Sequence, residues 1–112
     1  MKKIEAIIRP ERLGIIREAL GELGYPGITI SEVKGHGKQR GITQQWRGQE
    51  YKVDLLPKLK LEIVVLNDDA IKTVNAIVRA GRTGGIGDGK IFVLPVESAI
   101  RIRTGDTDED AI

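Results

Sequence analysis

Two strand–helix–strand units in series predict an α+β fold, in which an antiparallel sheet carries both helices on one face. The first observation is that apolar and charged residues alternate in two similar segments, KIEAII at residues 3–8 and KLEIVV at residues 60–65. Such alternation is typical of β-strands. The second observation is that apolar residues at helical spacing follow each segment. A repeated unit of this kind is the split β-α-β pattern of ferredoxin-like folds.

The first unit covers residues 2–34. Pro10 suits the first turn of a helix, because its missing N–H is not needed there. The helix is predicted to end near Gly24, and its apolar residues at helical spacing are Leu13, Ile16, Leu20 and Leu23. A YPG turn then leads into a second alternating strand, ITISEVK at residues 28–34.

The second unit begins at residue 60. Asn67 or Asp68 is the predicted N-cap of a helix that ends at Gly81 and carries the apolar residues Ile71, Val74, Ile77 and Val78. After a glycine-rich loop comes a strand, KIFVLPV at residues 90–96, and then a short SAIRIR segment.

Apolar side chains are predicted on both faces of the sheet, because alternation fails at Ile7-Ile8 and at Val64-Val65. Helices on one face would leave Ile7 and Val64 in water. The other face is therefore expected to be covered by copies of the chain or to line a ligand pocket. Both hold if the pocket lies between subunits.

The 112 residues fit a single domain, residues 1–112, with three special segments. Residues 35–57 form a polar, glycine-punctuated stretch, longer than the roughly 12–15 residues that ordinary loops reach. Because Trp46 and Tyr51 are costly to expose without use, we interpret it as a partner-docking loop; a mobile linker is the alternative. Residues 104–112 form an acidic tail, and the remaining body carries a positive net charge that would attract nucleotides, other anions or an acidic partner.

Composition excludes several classes of protein. There is no cysteine for a disulfide frame or thiolate metal site, and His36 is the only histidine. No apolar run approaches the length of a membrane span, and we expect a cytoplasmic location. No nucleophile motif is present, and Asp68-Asp69 suits a helix start better than acid–base chemistry. We expect no catalytic residues and no enzyme activity.

The phosphate-binding candidate is the glycine loop at residues 82–90. Gly84 to Lys90 reads G-x-x-x-x-G-K, but Ile91 stands where the Walker A pattern requires Ser or Thr. The order of elements is also reversed, since this loop follows a helix and precedes a strand. Backbone N–H groups and Lys90 can still hold phosphate oxygens.

Arg101 and Arg103 are further phosphate candidates. They alternate with Ile100 and Ile102, which predicts that both guanidinium groups leave one face of a short strand. Paired arginines match phosphate geometry. The alternative is a solvated edge strand whose charges oppose aggregation.

The sequence resembles the PII nitrogen-regulatory signal proteins nearly end to end, through SEVKGHGKQRG, WRGQEYKVDLLPKLKLEIVV, RTGGIGDGKIFV and RIRTG. The resemblance implies a homotrimer that binds ATP or ADP in clefts between subunits. Phosphates would be held by Gly87, Asp88, Gly89 and Lys90, with Arg101 and Arg103 beside them. Thr29 and Val64 would meet the adenine, Ile7 and Glu62 would line the pocket, and Gly37, Lys38 and Gln39 would also reach the nucleotide.

The resemblance also implies that 2-oxoglutarate binds beside ATP through a magnesium ion. Gln39 matches the residue that ligates this ion, and Lys58 matches the lysine that pairs with the distal carboxylate and is assigned to the acid alone. The acid would be wrapped by the loop base, Gly37, Lys38, Gln39, Arg40 and Gly41. The long loop would then dock on an ammonium transporter or on nitrogen-assimilation enzymes, with recruitment to the inner face of the membrane by a transporter.

Departures from the family pattern are local. His36 and Trp46 stand where relatives often have an aromatic residue and a tyrosine, and histidine could add a mild pH sensitivity. Tyr51 matches a tyrosine that some relatives carry modified with a nucleotide; an unmodified contact residue is the other interpretation. Gln49 replaces a serine that another branch phosphorylates, which excludes that modification.

Two alternatives come from other classes. RNA-binding modules share this strand order but need exposed aromatics on the central strands, and Phe92 stands alone here. A small hydrolase that acts on acyl phosphates would turn over labelled ATP or acyl phosphate rapidly. No nucleic-acid partner is expected.

Overall fold

A computed structural model describes residues 1–25, 27–35, 42–46, 49–53 and 55–112. Within these ranges, six strands and two helices follow one another: β1 (Lys2–Ile8), α1 (Leu13–Glu22), β2 (Thr29–Gly35), β3 (Ile42–Trp46), β4 (Gln49–Val53), β5 (Leu56–Val65), α2 (Ala70–Gly81) and β6 (Gly89–Pro95). Short 3-10 turns at Pro10–Arg12 and Asn67–Asp69 lead into α1 and α2.

The main sheet has four antiparallel strands in the order β2-β5-β1-β6. Its buried side chains alternate along β1 and β5 and pack against the buried sides of both helices. This core consists of Ile4, Ala6, Ile8, Ile16, Leu20, Leu61, Ile63, Val65, Ile77 and Ala80. The predicted ferredoxin-like fold is therefore confirmed.

The predicted end of α1 is also confirmed. Gly24 has a φ of +89°, a left-handed conformation that glycine adopts without the steric cost of a Cβ. The helix stops at Glu22, and the N–H of Tyr25 donates to the carbonyl of Leu20, 3.1 Å away. The chain then turns back toward β2.

The predicted N-cap of α2 is wrong. The capping position is Asp69, and its side chain makes no capping hydrogen bond. The two predicted candidates precede it in a 3-10 turn, where Asn67 Oδ1 accepts a hydrogen bond from the N-terminal ammonium at 2.7 Å. The Asp69 carboxylate accepts from the Tyr25 hydroxyl and lies 2.9 Å from Lys72 Nζ. The side chains of Asn67 and Asp69 therefore contact groups other than the N–H groups that a local cap would satisfy.

The predicted short strand at residues 100–103 is also wrong. One isolated bridge joins Ile100 to Thr107, and residues 102–104 form a turn. The N–H of Arg101 donates to the carbonyl of Asp106 at 2.9 Å, and the N–H of Gly105 donates back to the carbonyl of Arg101 at 2.8 Å. These local bonds close a tight loop, so the two arginines do not share the face of a strand.

The long segment between β2 and β5 contains a second antiparallel sheet, formed by β3 and β4. Apolar alternation does not predict these strands, because their many Gln, Glu and Lys residues obscure it. Neither α1 nor α2, the helices of the described part of the chain, combines the length and apolar composition that a membrane crossing requires.

Candidate functional site

The glycine loop between α2 and β6 is organised around the carboxylate of Asp88. Asp88 Oδ2 accepts hydrogen bonds from the backbone N–H groups of Thr83 and Gly84, each at 2.9 Å. Oδ1 accepts from the Thr83 hydroxyl and from Arg9 Nε. The Thr83 hydroxyl, the Thr83 N–H and Arg9 together hold the pKa of Asp88 well below its usual range. The carboxylate is saturated with donors, so it shapes the loop from inside.

Two basic side chains of the sheet hold the loop from outside. Arg9 Nη2 donates to the carbonyl of Ile86 at 2.8 Å, beside the 3.0 Å contact from Arg9 Nε to Asp88. Lys58 Nζ donates to the carbonyl of Gly87 at 2.7 Å. Burial of Lys58, and next the positive charge of Arg9, lower the pKa of its ammonium. The loop is thereby tied to β1 and β5.

Arg9 was missed by the sequence analysis. Its partner Asp88 lies 79 positions away along the chain, and no local motif links the two residues. Lys58 was predicted to contact 2-oxoglutarate alone, whereas its ammonium contacts the predicted phosphate-binding loop. The only sequence signal for Arg9 was a basic residue at the end of a strand.

Where the loop joins β6, the backbone position of Gly89 has no room for a side chain. Its φ is +109°, and a Cβ placed there would lie 1.7 Å from the carbonyl oxygen of Ile7. Gly84 and Gly87 also have positive φ angles, +89° and +99°. The backbone of this loop therefore adopts a shape that side chains at these positions would strain.

A cavity of about 280 Å³ lies between α2 and the start of β6. Four residues of the predicted nucleotide site line it together: Ile7, Asp88, Gly89 and Lys90. Its other walls are mostly apolar and come from Ile8, Val74, Ile77, Val78, Gly81, Arg82 and Ile91. Lys90 is exposed at this cavity, so its charge is available to an anion.

Lys58 lines a second cavity, of about 470 Å³, near the other edge of the sheet. The remaining walls come from Pro10, Glu32, Val33, Lys34, Pro57 and Leu59. The side chain of Lys58 thus borders this space while its ammonium bonds the glycine loop.

The sheet face opposite the helices, here called the open face, carries Lys3, Glu5, Ile7, Thr29, Ser31, Lys60, Glu62, Val64, Lys90, Phe92 and Leu94. Strand register aligns Ile7 with Lys60 and Lys90, and Glu62 with Thr29 and Glu5. Val64 lies four residues beyond Lys60 on β5, about 13 Å along the strand.

An ion-pair network separates the two ends of the open face. Lys3 Nζ lies 2.7 Å from Glu62 and 3.0 Å from Glu5, and Lys60 Nζ lies 3.5 Å from Glu62. The predicted adenine contacts, Thr29 and Val64, are therefore not in one pocket with the glycine loop of the same chain.

The two arginines lie in the C-terminal loop. Arg101 Nη1 is 3.4 Å from Asp106, and Arg103 is exposed in the turn. Between residues 101–103 and the glycine loop of the same chain, the described residues form neither a hydrogen bond nor an ion pair.

Several predicted site residues fall outside the described residues: Gly37, Lys38, Gln39, Arg40 and Gly41, together with His36. For Tyr51 the structure describes the backbone, which pairs with Gln44 across the β3–β4 hairpin. In the described ranges, no three His, Cys, Asp or Glu side chains are grouped to hold a metal ion.

Comparison with known proteins agrees with this architecture. A family model described as "Nitrogen regulatory protein P-II" matches residues 1–106. Proteins of that name from Cereibacter sphaeroides and Pasteurella multocida (strain Pm70) are 56% and 54% identical over 112 residues, which cover 100% of both chains in each pair. "Nitrogen regulatory protein P-II 1" of Escherichia coli (strain K12) is 56% identical over the same full length. These relatives are regulators by name, and the chain belongs to the PII family of nitrogen regulatory proteins.

Proposed function

We propose that this PII protein binds ATP or ADP and senses 2-oxoglutarate together with Mg²⁺. The observation that carries the proposal is the glycine loop, whose only acidic side chain is saturated internally while Lys90 stays exposed beside it. An anion that approaches this loop meets N–H groups and a lysine. A phosphate chain fits that environment.

The nucleotide site of this proposal combines two subunits. The phosphate set is Gly87, Asp88, Gly89 and Lys90, with Asp88 contributing its backbone N–H because its carboxylate is occupied. Ile7 lies at the same end of the open face, in register with Lys90. The adenine set, Thr29 and Val64, lies apart from it on the open face, where Glu62 would line the nucleotide pocket. Arg101 and Arg103 lie in the C-terminal loop.

A homotrimer would bring these sets together at each interface. The open face supports association, because Phe92 is 50% exposed and Leu94 is 38% exposed beside Ile7 and Val64. Apolar side chains in such number on one face favour burial against another chain.

The acid site is proposed to use Lys58 for the distal carboxylate and residues 37–41 for the rest of the molecule. Mg²⁺ would be held by Gln39 together with ATP and the acid, and it would join the two ligands. Asp88 is not a metal ligand in this proposal, since its oxygens already accept four hydrogen bonds.

Partner regulation is assigned to residues 35–57, which would dock on an ammonium transporter or on nitrogen-assimilation enzymes. The antiparallel pairing of β3 with β4 within this segment supports the assignment, because a pair of strands beyond the main sheet offers backbone and side chains that a partner can contact. A cytoplasmic protein that a transporter recruits to the inner face of the membrane would fit this role. Modification of Tyr51 on β4 would alter the same surface.

Calorimetry tests this function. Because coupling between binding sites is reciprocal, 2-oxoglutarate should tighten Mg-ATP by the same factor by which Mg-ATP tightens 2-oxoglutarate. ADP lacks the γ-phosphate and should not support binding of the acid. Equal affinity for 2-oxoglutarate with ATP, with ADP and without nucleotide would refute the coupling.

Lys58→Ala belongs in the same experiment. It should abolish the response to 2-oxoglutarate, and it should also weaken ATP, because Lys58 holds the carbonyl of Gly87. Lys34→Ala removes a neighbouring exposed lysine of the second cavity and is the matched control.

A further inference from the structure

Two carbonyl groups of the glycine loop accept hydrogen bonds from basic side chains. The carbonyl of Ile86 accepts from Arg9, and the carbonyl of Gly87 accepts from Lys58. Every peptide bond here is trans, and in a trans peptide the N–H points opposite to the C=O. The N–H of Gly87 therefore points away from Arg9, and the N–H of Asp88 points away from Lys58.

The amides of this loop thus fall into two groups. Those of Thr83 and Gly84 donate to Asp88, and that of Gly85 donates to the Thr83 hydroxyl at 3.1 Å. For the amides of Ile86, Gly87 and Asp88, the hydrogen bonds of the described part of the chain include no acceptor. Of these three N–H groups, those of Gly87 and Asp88 belong to the peptide groups whose carbonyls Arg9 and Lys58 hold, so they are the donors that the loop orients for an external anion.

The guanidinium of Arg9 is already committed to the protein. Its Nε contacts Asp88, its Nη2 contacts the carbonyl of Ile86, and its Nη1 lies 4.0 Å from Glu11. The side chain is 18% exposed. Arg9 is thus placed to hold the loop, and the contacts of its guanidinium are with protein groups.

We propose that Arg9 is a positioning residue for phosphate binding, which acts through Asp88 and the carbonyl of Ile86 to present the N–H groups of Gly87 and Asp88. This inference rests on the proposed function, since it assumes that the phosphate chain of ATP binds the loop. In a direct charge effect, the electric field of the guanidinium would attract the phosphate. In this proposal, Arg9 increases the affinity for ATP through the geometry of the loop.

A double-mutant cycle separates the two explanations. Arg9→Gln and Asp88→Asn should each weaken ATP by about ten- to a hundredfold, the range of one hydrogen bond to a charged group, and leave adenosine binding unchanged. The double variant should bind ATP about as weakly as Asp88→Asn alone, because both residues act through one structure. Arg17→Gln removes an exposed arginine from α1 and should bind like the wild type.

Two further measurements complete the test. Arg9→Lys keeps the charge but loses the planar fork, so it should also bind ATP more weakly than the wild type. In the ligand-free protein, hydrogen exchange at the amides of Thr83 and Gly84 should be faster in Arg9→Gln, since their acceptor Asp88 is no longer held. Circular dichroism checks that each variant is folded.

Three outcomes would overturn the inference: wild-type ATP affinity in Arg9→Gln, wild-type affinity in Arg9→Lys, or losses that multiply in the double variant. A wild-type protein that bound neither ATP nor ADP would instead overturn the proposed function. Unchanged exchange of Thr83 and Gly84 in Arg9→Gln would refute the positioning role independently of any ligand.

Discussion

At the scale of single residues, the glycine loop satisfies the carboxylate of Asp88 internally and leaves the ammonium of Lys90 exposed. Asp88 is an acid in a region proposed to bind anions, and it would repel phosphate if its charge were free. Four donors saturate its carboxylate, so the repulsion is offset within the loop. Lys90 keeps its ammonium exposed at the neighbouring cavity. The loop can therefore be shaped by a negative charge and still attract one.

Lys90→Ala and Arg103→Ala should each weaken ATP more than adenosine, because both side chains are assigned to phosphate. One hydrogen bond to a charged group contributes roughly 1.5–3 kcal/mol, which corresponds to a loss of about ten- to a hundredfold. Titration calorimetry with both ligands measures the difference, and Arg17→Ala on α1 is the control for net charge. Equal losses for ATP and adenosine would show that the phosphate assignment is wrong.

Gly89 illustrates how one residue sets the contact between two strands. Gly89→Ala should lower the free energy of unfolding by about 2–3 kcal/mol, because the new Cβ would meet the Ile7 carbonyl and the φ of +109° is strained for alanine. Urea unfolding at fixed protein concentration measures the change. Gly14→Ala on α1, where no atom lies within 4 Å of the added Cβ, should be neutral or stabilising by up to about 1 kcal/mol. An equal effect of the two substitutions would contradict the clash.

At the scale of elements, a polar cluster joins the start of α2 to the turn after α1. The Tyr25 hydroxyl donates to Asp69, and Asp69 also pairs with Lys72 at 2.9 Å. The hydrogen bond from Tyr25, followed by that from Lys72, lowers the pKa of Asp69. The cluster links two elements that are 44 positions apart in the chain.

This cluster predicts an acid-sensitive contribution to stability. A carboxylate whose pKa is lower in the folded state stabilises the protein above its unfolded pKa of about 3.9, and the contribution disappears as the pH falls through the folded value. Thermal melting between pH 7 and pH 3 should therefore show a steeper loss below about pH 4 in the wild type than in Asp69→Asn. Asp68→Asn, at the neighbouring position, should follow the wild type. Parallel curves for wild type and Asp69→Asn would exclude the contribution.

At the scale of the whole molecule, the helices cover one face of the sheet and leave the other open. The open face combines apolar side chains with the ion pairs of Lys3, Glu5, Lys60 and Glu62. Such a mixed surface suits an interface, because ion pairs fix register while apolar residues favour burial. The proposed adenine contacts and the proposed phosphate contacts lie apart on one chain, which also indicates that the open face is an interface.

Phe92→Glu should therefore weaken assembly, since it places a charge on the open face beside Glu5, its register partner. Light scattering of the wild type at micromolar concentration should give three times the 12.3 kDa mass of one chain, and the variant should give a smaller mass. Ile71→Glu, on the helix side of the molecule and 76% exposed, is the matched control. A monomer mass for the wild type would refute the trimer.

The sequence by itself determined the four strands of the main sheet, the two helices and their order along the chain. Two strand–helix–strand units, the turn at Gly24 and the glycine loop were all predicted, because they depend on periodicity and on backbone conformations that neighbouring residues set. The family likewise followed from contiguous motifs. The prediction of apolar residues on both sheet faces depended on the two places where alternation fails, Ile7-Ile8 and Val64-Val65.

Only the tertiary structure decided how those elements use their polar side chains. Arg9, Lys58 and Asp88 meet across three strands, Tyr25 takes the carboxylate of Asp69, and local bonds turn residues 102–104 away from a strand. Each of these outcomes is a competition between a local partner and a distant one. Sequence periodicity describes only the local partners. Which partner a polar side chain contacts depends on distances that exist only after the chain has folded.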